Sequence, residues 1–135
     1  MATGQQSQSA FLTQTDGAGY GAMSYINASL PSDATVVFYG EPFGFYCDRN
    51  YFWGEAGHST YVPYSDFHSA SDLQSWFSAH HVDYILINQA VFPMNPNARD
   101  YTGWVYALTA GSGQPIYYDH GIGIWQVPTT PVAAP

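Results

Sequence analysis

Lysine is missing from this chain altogether, and its only basic side chains are Arg49 and Arg99. Ten acidic residues leave a formal net charge of −8. Nucleic-acid binding needs cations that displace phosphate counterions, so this balance argues against nucleic acid as a partner. It argues equally against docking on anionic lipid headgroups. A single cysteine, Cys47, leaves no internal disulfide to form, and it reads as a buried structural thiol. No run nears the ~18 consecutive apolar residues of a membrane span, so direct membrane insertion by this chain is not expected. The amino end has neither the cationic start nor the apolar middle of a signal peptide.

What the chain has in quantity is aromatic surface. Twelve Tyr, eight Phe and four Trp stand against two basic and ten acidic residues in a length of 135. That length suits one domain with a hydrophobic core that needs no metal or disulfide staple. A surface poor in charge and rich in Tyr, Ser, Thr, Asn and Gln fits an extracytoplasmic location: periplasmic, on the outer membrane face, or extracellular.

The chain is organised around residues 34–54. Thr35-Val36-Val37-Phe38-Tyr39 is an almost continuous β-branched and aromatic run, the pattern of a strand buried on both faces. Gly40-Glu41-Pro42 stops it. Residues 43–47 read as a second extended segment and Tyr51-Phe52-Trp53 as a third, after the polar corner Asp48-Arg49-Asn50. Upstream, residues 1–16 form a flexible polar tail. Ala18, Ala22, Tyr25, Ile26 and Ser29 mark a helical stripe over 18–30 that Pro31 ends.

Residues 54–69 form a long loop, with a short strand at 59–62. Ser71 and Gln74 have capping-box spacing, and Leu73, Trp76, Phe77 and His80 follow as the buried stripe of a helix over 71–81. Residues 84–88, Tyr-Ile-Leu-Ile-Asn, are the second buried strand. Strand, helix and strand make a βαβ crossover, so 35–39 and 84–88 are expected to lie parallel in one sheet. A third helix over 100–110 carries Tyr101, Trp104, Val105 and Leu108, and Gly111-Ser112-Gly113 ends it. A β-hairpin over 115–127 turns at Asp119-His120-Gly121, and 128–135 is a Pro-rich tail or linker. The expected fold is therefore α/β: a mixed sheet with parallel central strands and flanking helices, in a single domain over 17–127.

Several strings in this order resemble a known family. They are Tyr25-Ile26-Asn27, Leu30-Pro31-Ser32-Asp33-Ala34 with the strand after it, Gly40-Glu41-Pro42, Phe45-Tyr46 and Asp48-Arg49. The helix from Ser71, Val82-Asp83-Tyr84-Ile85-Leu86-Ile87-Asn88, Ile116-Tyr117-Tyr118-Asp119 and Gly123-Ile124-Trp125-Gln126-Val127 complete the set. Together, over about residues 19–127, they resemble the soluble carboxy-terminal domain of bacterial and archaeal integral-membrane glycosyltransferases, relatives of the protein O-mannosyltransferases and aminoarabinose transferases. The resemblance implies a Rossmann-like domain on the outer face of a membrane. In that family catalysis belongs to the membrane-bound part, so no catalytic residue carries over. The implied partners are a sugar or glycan acceptor, or the chain's own membrane-bound domain.

The residues themselves favour binding over chemistry. Gly40 and Gly44 lead into an aromatic segment rather than a helix amino terminus, and Pro42 removes an amide donor, so no dinucleotide loop is present and no cofactor is expected. Gly111-Ser112-Gly113 is a helix stop rather than a nucleophile elbow. Glu55, His58, Asp66 and His68 are the only metal-ligand types clustered in one loop, at spacings unlike zinc sites, so no metal is expected. His80 and His81 suit a helix carboxyl terminus.

The functional surface is expected where the first strand ends, as in open α/β sheets. Glu41, Asp48, Arg49, Asn50, Trp53, Tyr61, Tyr64 and Asn88 are its candidate binding residues, on the expectation that they crowd one sheet end. Aromatic faces mixed with amides and carboxylates serve sugar or peptide contact, and serve a buried protein interface equally well. The alternative is a self-associating structural subunit, a homo-oligomer of filament or surface-layer type. It would use its Tyr-rich surface, with residues 1–16 and 128–135 reaching a neighbour's sheet edge.

Overall fold

The computed structural model describes residues 18–40, 47, 49–55, 61–92, 94–95 and 97–132, with side chains from Gly21 onward. The expected tail 1–16 lies outside these residues. So do 59 and 60 of the expected short strand, and all but Cys47 of the segment 43–47. Tyr61 and Val62 form a bend rather than a strand.

Three α-helices, a 3-10 turn at Tyr64–Asp66 and five strands make up the described fold: α1 (Ala18–Ser29), β1 (Thr35–Tyr39), β2 (Asn50–Trp53), α2 (Ala70–Ala79), β3 (Tyr84–Asn88), α3 (Tyr101–Ser112), β4 (Tyr117–Asp119) and β5 (Ile122–Gln126). The strands form one mixed sheet in the order β2-β1-β3-β5-β4. β1 pairs parallel with β3, Val36 opposite Tyr84 and Tyr39 opposite Ile87. β1 also pairs parallel with β2, Thr35 opposite Asn50 and Phe38 opposite Trp53. β5 runs antiparallel to both β3 and β4. The fold is α/β with parallel central strands, as the periodicity predicts.

Alternation along each strand divides the core in two. Val36, Phe38, Leu86, Ile122 and Ile124 pack with Ala22, Met23, Ile26 and Leu30 of the α1 segment. Val37, Tyr39, Ile85, Ile87 and Trp125 point the other way, onto Leu73 and Phe77 of α2 and Val105 and Leu108 of α3. Val36 to Tyr39 are therefore fully buried from both sides. A strand so placed must be continuously apolar, which is why β1 was legible.

Element ends show which signals decide. The buried stripe of α2 is Ala70, Leu73, Gln74 and Phe77, while Trp76 is half-buried and His80 exposed. Its N-cap is Ser69, whose hydroxyl accepts from the Asp72 amide, and the Asp72 carboxylate accepts from the His68 amide at 2.8 Å. The expected Ser71–Gln74 cap is thus displaced by two residues, because Gln74 faces inward. At the other end the His81 amide bonds the Ser78 carbonyl and the Val82 amide bonds the Phe77 carbonyl, with His81 at φ 57°. That is a Schellman closure with His81 where glycine is usual. The hairpin turn likewise has positive φ at both His120 and Gly121, the backbone of a two-residue type I′ connection.

Arg49, one of the two basic residues, closes α1. Its Nε and Nη2 donate to the Leu30 carbonyl and Nη2 donates to the Asn27 carbonyl at 2.9 Å, satisfying a helix end with a cation.

Asp100 caps α3, accepting from the Thr102 amide at 3.0 Å and from the Thr102 hydroxyl. The hydroxyl bond is the main cause holding its carboxyl below the usual range. A depressed folded pKa contributes stability that is complete above the unfolded carboxylate value near 4 and is lost as pH falls through the folded value. Asp100→Ala should therefore lower stability by about 1 kcal/mol at neutral pH. The gap between the two proteins in urea melts should narrow as pH falls below about 4, and a gap that persists undiminished into strong acid would contradict the assignment.

Candidate functional site

Parallel pairing fixes which side chains share an end of the sheet. Because β2 runs alongside β1 in the same direction, Asn50 sits opposite Thr35, at the amino end of β1. Asn88 lies at the carboxyl end of β3, five residues or about 17 Å further along the strand direction at ~3.3 Å per residue. Arg49 and Asn50 are therefore parted from Asn88, which corrects the expectation of one crowded end. Glu41, Asp48 and His58 lie outside the described residues.

The carboxyl ends of β1 and β3 are filled by the chain itself. Gly40, at φ 79°, donates its amide to Glu55 Oε1 at 2.9 Å. A Cβ added to Gly40 would lie 2.9 Å from the Asn88 carbonyl oxygen and 3.2 Å from Val91 Cβ. Asn88 Oδ1 accepts from the Ala90 amide, and its carbonyl accepts from the amides of Val91 and Phe92. Among the described residues, 88–92 lie against Gly40 at the carboxyl ends of β1 and β3.

Tyr64 is structural as well. Its hydroxyl donates to the Gly54 carbonyl and is bonded to the Tyr39 hydroxyl at 2.7 Å. Burial pushes the Tyr39 phenol well above its ordinary value, and burial likewise raises Tyr64. Trp53 packs edge-on against Tyr51 on the α1 side of the sheet. Tyr61 lies on the opposite side, exposed, edge-on to Phe52 and Trp76. One face of the Trp76 ring is covered by His80, stacked at 3.9 Å, and His80 Nδ1 bonds the Trp76 carbonyl. Trp53 and Tyr61 thus belong to different surfaces.

The suggested metal loop does not assemble among the described residues. Glu55 is tied to Gly40, Asp66 and His68 are exposed, and no three His, Cys, Asp or Glu side chains lie close enough to hold an ion.

An open cleft of about 600 Å³ lies instead at the amino ends of β1 and β3. Its floor is the joint between those strands. The Thr35 amide donates to Asp83 Oδ2 at 3.1 Å, and the Asp83 amide donates to the Thr35 carbonyl at 2.9 Å. One wall is α2, presenting Ser71, Ser75 and Ser78. The other is the segment after β5, from Gln126 to Pro131. Asp33 and Asp83 are its carboxylates, and no Lys or Arg lines it. Tyr84 contributes a phenol whose pKa is raised, first by burial and then by the Asp83 carboxylate, so it remains a hydrogen-bond donor.

A buried amide builds the second wall. Gln74 is only 9% exposed, and Nε2 donates to the carbonyls of Pro128 at 2.8 Å and Thr130 at 2.7 Å. Gln74 Oε1 accepts from the Val132 amide at 3.0 Å. The Val127 amide continues the pairing by donating to the Asp83 carbonyl. Residues 128–132 are held to the helical face by these bonds. Asp33, Gln74, Asp83 and Tyr84 escaped notice as site residues because turn and capping roles account for their types. The one available signal was Gln74 itself, a polar side chain between Leu73 and Phe77 on an apolar stripe.

Comparison with protein-family models, with curated proteins and with solved structures returned no match.

Two outcomes follow from this geometry. Gln74→Ala should cost roughly 1–3 kcal/mol and speed hydrogen exchange of the Val132 amide, because three backbone groups lose one shared partner. An unchanged Val132 exchange rate would show that the segment is held by other contacts. For Tyr39 and Tyr64, a pKa raised by folding means the fold holds the protons more tightly than the unfolded chain does. Their contribution is intact below about pH 10 and is lost as pH rises beyond it. A phenolate absorbance titration should show two tyrosines ionising only with alkaline unfolding; complete ionisation of the folded protein would contradict their burial.

Proposed function

We propose that this chain is a non-catalytic, extracytoplasmic recognition domain, accessory to a membrane-bound glycosyltransferase-like enzyme. It contacts that enzyme's sugar or acceptor through the cleft at the amino ends of β1 and β3. The observation that carries this reading is the cleft's chemistry. A polar trough of about 600 Å³ has the dimensions of a small-ligand site, and it presents serine hydroxyls, carboxylates and a phenol at a preformed sheet end. The Rossmann-like parentage belongs to the same proposal: the parallel order β2-β1-β3 supports it, and the antiparallel β5-β4 pair is the departure from an all-parallel sheet. Among the described residues no helix is long and apolar enough to cross a membrane.

Three candidate groups outside the cleft have structural partners within the chain. Arg49 closes α1, Glu55 holds the end of β1, and Asn88 closes its own turn. Sugar contact through Tyr61 is less favoured than contact through the cleft, since the neighbouring Trp76 face is covered by His80.

The self-associating reading retains one observation in its favour: β2 and β4 end the sheet on either side, and a strand at a sheet edge can pair with another copy. Against it, residues 128–132 are engaged within their own chain.

Amide chemical-shift mapping with mannotriose and with a Ser/Thr-rich peptide tests the first reading. Shifts confined to residues 31–34, 71–84 and 126–131 are expected for one of the two. Shifts confined to the carboxyl ends of β1 and β3, or none with either probe at millimolar concentration, would refute it. Light scattering on the same samples should report a monomer, and concentration-dependent growth would favour the self-associating reading.

A further inference from the structure

We infer that residues 128–132 form a clasp that opens and closes apart from the rest of the domain. The cleft at the amino ends of β1 and β3 is complete only while this clasp is shut.

One side chain holds the segment. Among the described residues, every hydrogen bond of 128–132 ends on the Gln74 amide: the Pro128 and Thr130 carbonyls accept from Nε2, and the Val132 amide donates to Oε1. Carbonyls two residues apart reach one nitrogen because the chain bends at Thr129 and Thr130. The segment therefore wraps around an amide instead of pairing with a strand. Pro128 and Pro131 have no amide hydrogen to extend the ladder, which stops at the bond from the Val127 amide to the Asp83 carbonyl. The hinge falls between Val127 and Pro128. Beyond it Thr129, Thr130 and Pro131 are exposed, and Val132 is the apolar anchor. It is seated where Gly111 of α3 lacks a Cβ: one built there would lie 2.7 Å from Val132 Cγ1.

A segment with few buried contacts and an exposed backbone opens at lower free energy than core strands do. Opening also leaves no buried group orphaned. Gln74 is part of the cleft lining, so water takes over its amide once the segment lifts. β1 is the opposite case, paired along both edges and buried on both faces.

Opening changes the cleft, because Pro128, Thr129 and Pro131 line it. Lifting them removes that boundary and leaves the side formed by Asp33 and Asp83 facing water. A molecule that touches both sides binds only the shut form and shifts the clasp toward it. The clasp itself is independent of the recognition proposed above, whereas its coupling to a ligand rests on that reading.

Native-state hydrogen exchange of the full chain, followed by NMR through sub-denaturing urea, is the test. The Val132 amide should be protected at least about tenfold over an unstructured chain. It should still exchange at least about a hundredfold faster than the Val37 and Leu86 amides, with a weaker urea dependence. Protection and urea slope equal to those of Leu86 overturn the inference, because the segment then leaves only when the domain unfolds. An unprotected Val132 amide overturns it too, because nothing is then latched.

Gly111→Ala is the matching variant. Its methyl group crowds Val132 while alanine suits a helix better than glycine, so Val132 should exchange about tenfold faster and Leu86 no faster than before. An unchanged Val132 rate refutes the clasp, and an equal acceleration of Leu86 refutes it by showing one cooperative unit. Whichever of mannotriose and the Ser/Thr-rich peptide maps to the cleft should slow Val132 exchange, and a probe that maps there without slowing it overturns the coupling. If neither maps there, the recognition reading fails while the exchange rates of the free protein still decide the clasp.

Discussion

The parallel pairing of β1 with strands on both sides is the constraint from which the rest of this molecule follows. It buries Val36 to Tyr39 completely, because a central strand has neighbours along both edges and helices over both faces. It also sorts the chain's polar residues between two ends of one sheet. With β2 and β3 both running alongside β1, everything entering a strand collects at one end and everything leaving collects at the other. Asp33, Asn50 and Asp83 fall into the first group, and Gly40, Glu55 and Asn88 into the second.

The two ends then diverge because of what the chain does next. At the carboxyl end, residues 88–92 turn back over Gly40, and Glu55 accepts the amide that would otherwise be left open. Among the described residues, short-range bonds tie that end together. At the amino end, the segment after β5 runs past the sheet instead of folding over it, and Gln74 holds it at a distance from Asp33. The cleft is bounded by α2 joined to that segment and by Asp33, Ala34 and Val82 to Tyr84. A buried glutamine with both the nitrogen and the oxygen of its amide engaged is costly to leave unpaired, so with the clasp shut this segment is as well fixed as the helix it is bonded to.

Much of this was legible in the amino-acid order, and the exceptions share a cause. β1 and β3 announced themselves as unbroken β-branched runs, α2 and α3 as apolar stripes, and the hairpin by its His120-Gly121 turn. Period and turn chemistry are local, and local signals survive in a sequence. The direction of β2 did not, since Asn50–Trp53 reads as extended whichever way it runs, and only its neighbours decide. The site went astray for that reason: with β2 undirected, Arg49 and Asn50 were placed with Asn88 when they lie at opposite ends. Gln74 was equally hidden, because its partners are more than fifty residues away at 128–132 and its spacing from Ser71 mimicked a cap. Arg49 looked like a ligand-binding cation until the carbonyls of Asn27 and Leu30 came into view.

The most direct test of the central claim is a map of interstrand backbone contacts around β1 by nuclear Overhauser effects in the isotopically labelled protein. Parallel pairing on both sides predicts contacts from Val37 to Phe52 on one edge and to Ile85 on the other, with Phe38 reaching Trp53 and Leu86 in the same sense. Contacts that run in the opposite sense along the β3 edge would place Asp83 at the far end of the sheet from Asp33, and would take with them the cleft that both residues line.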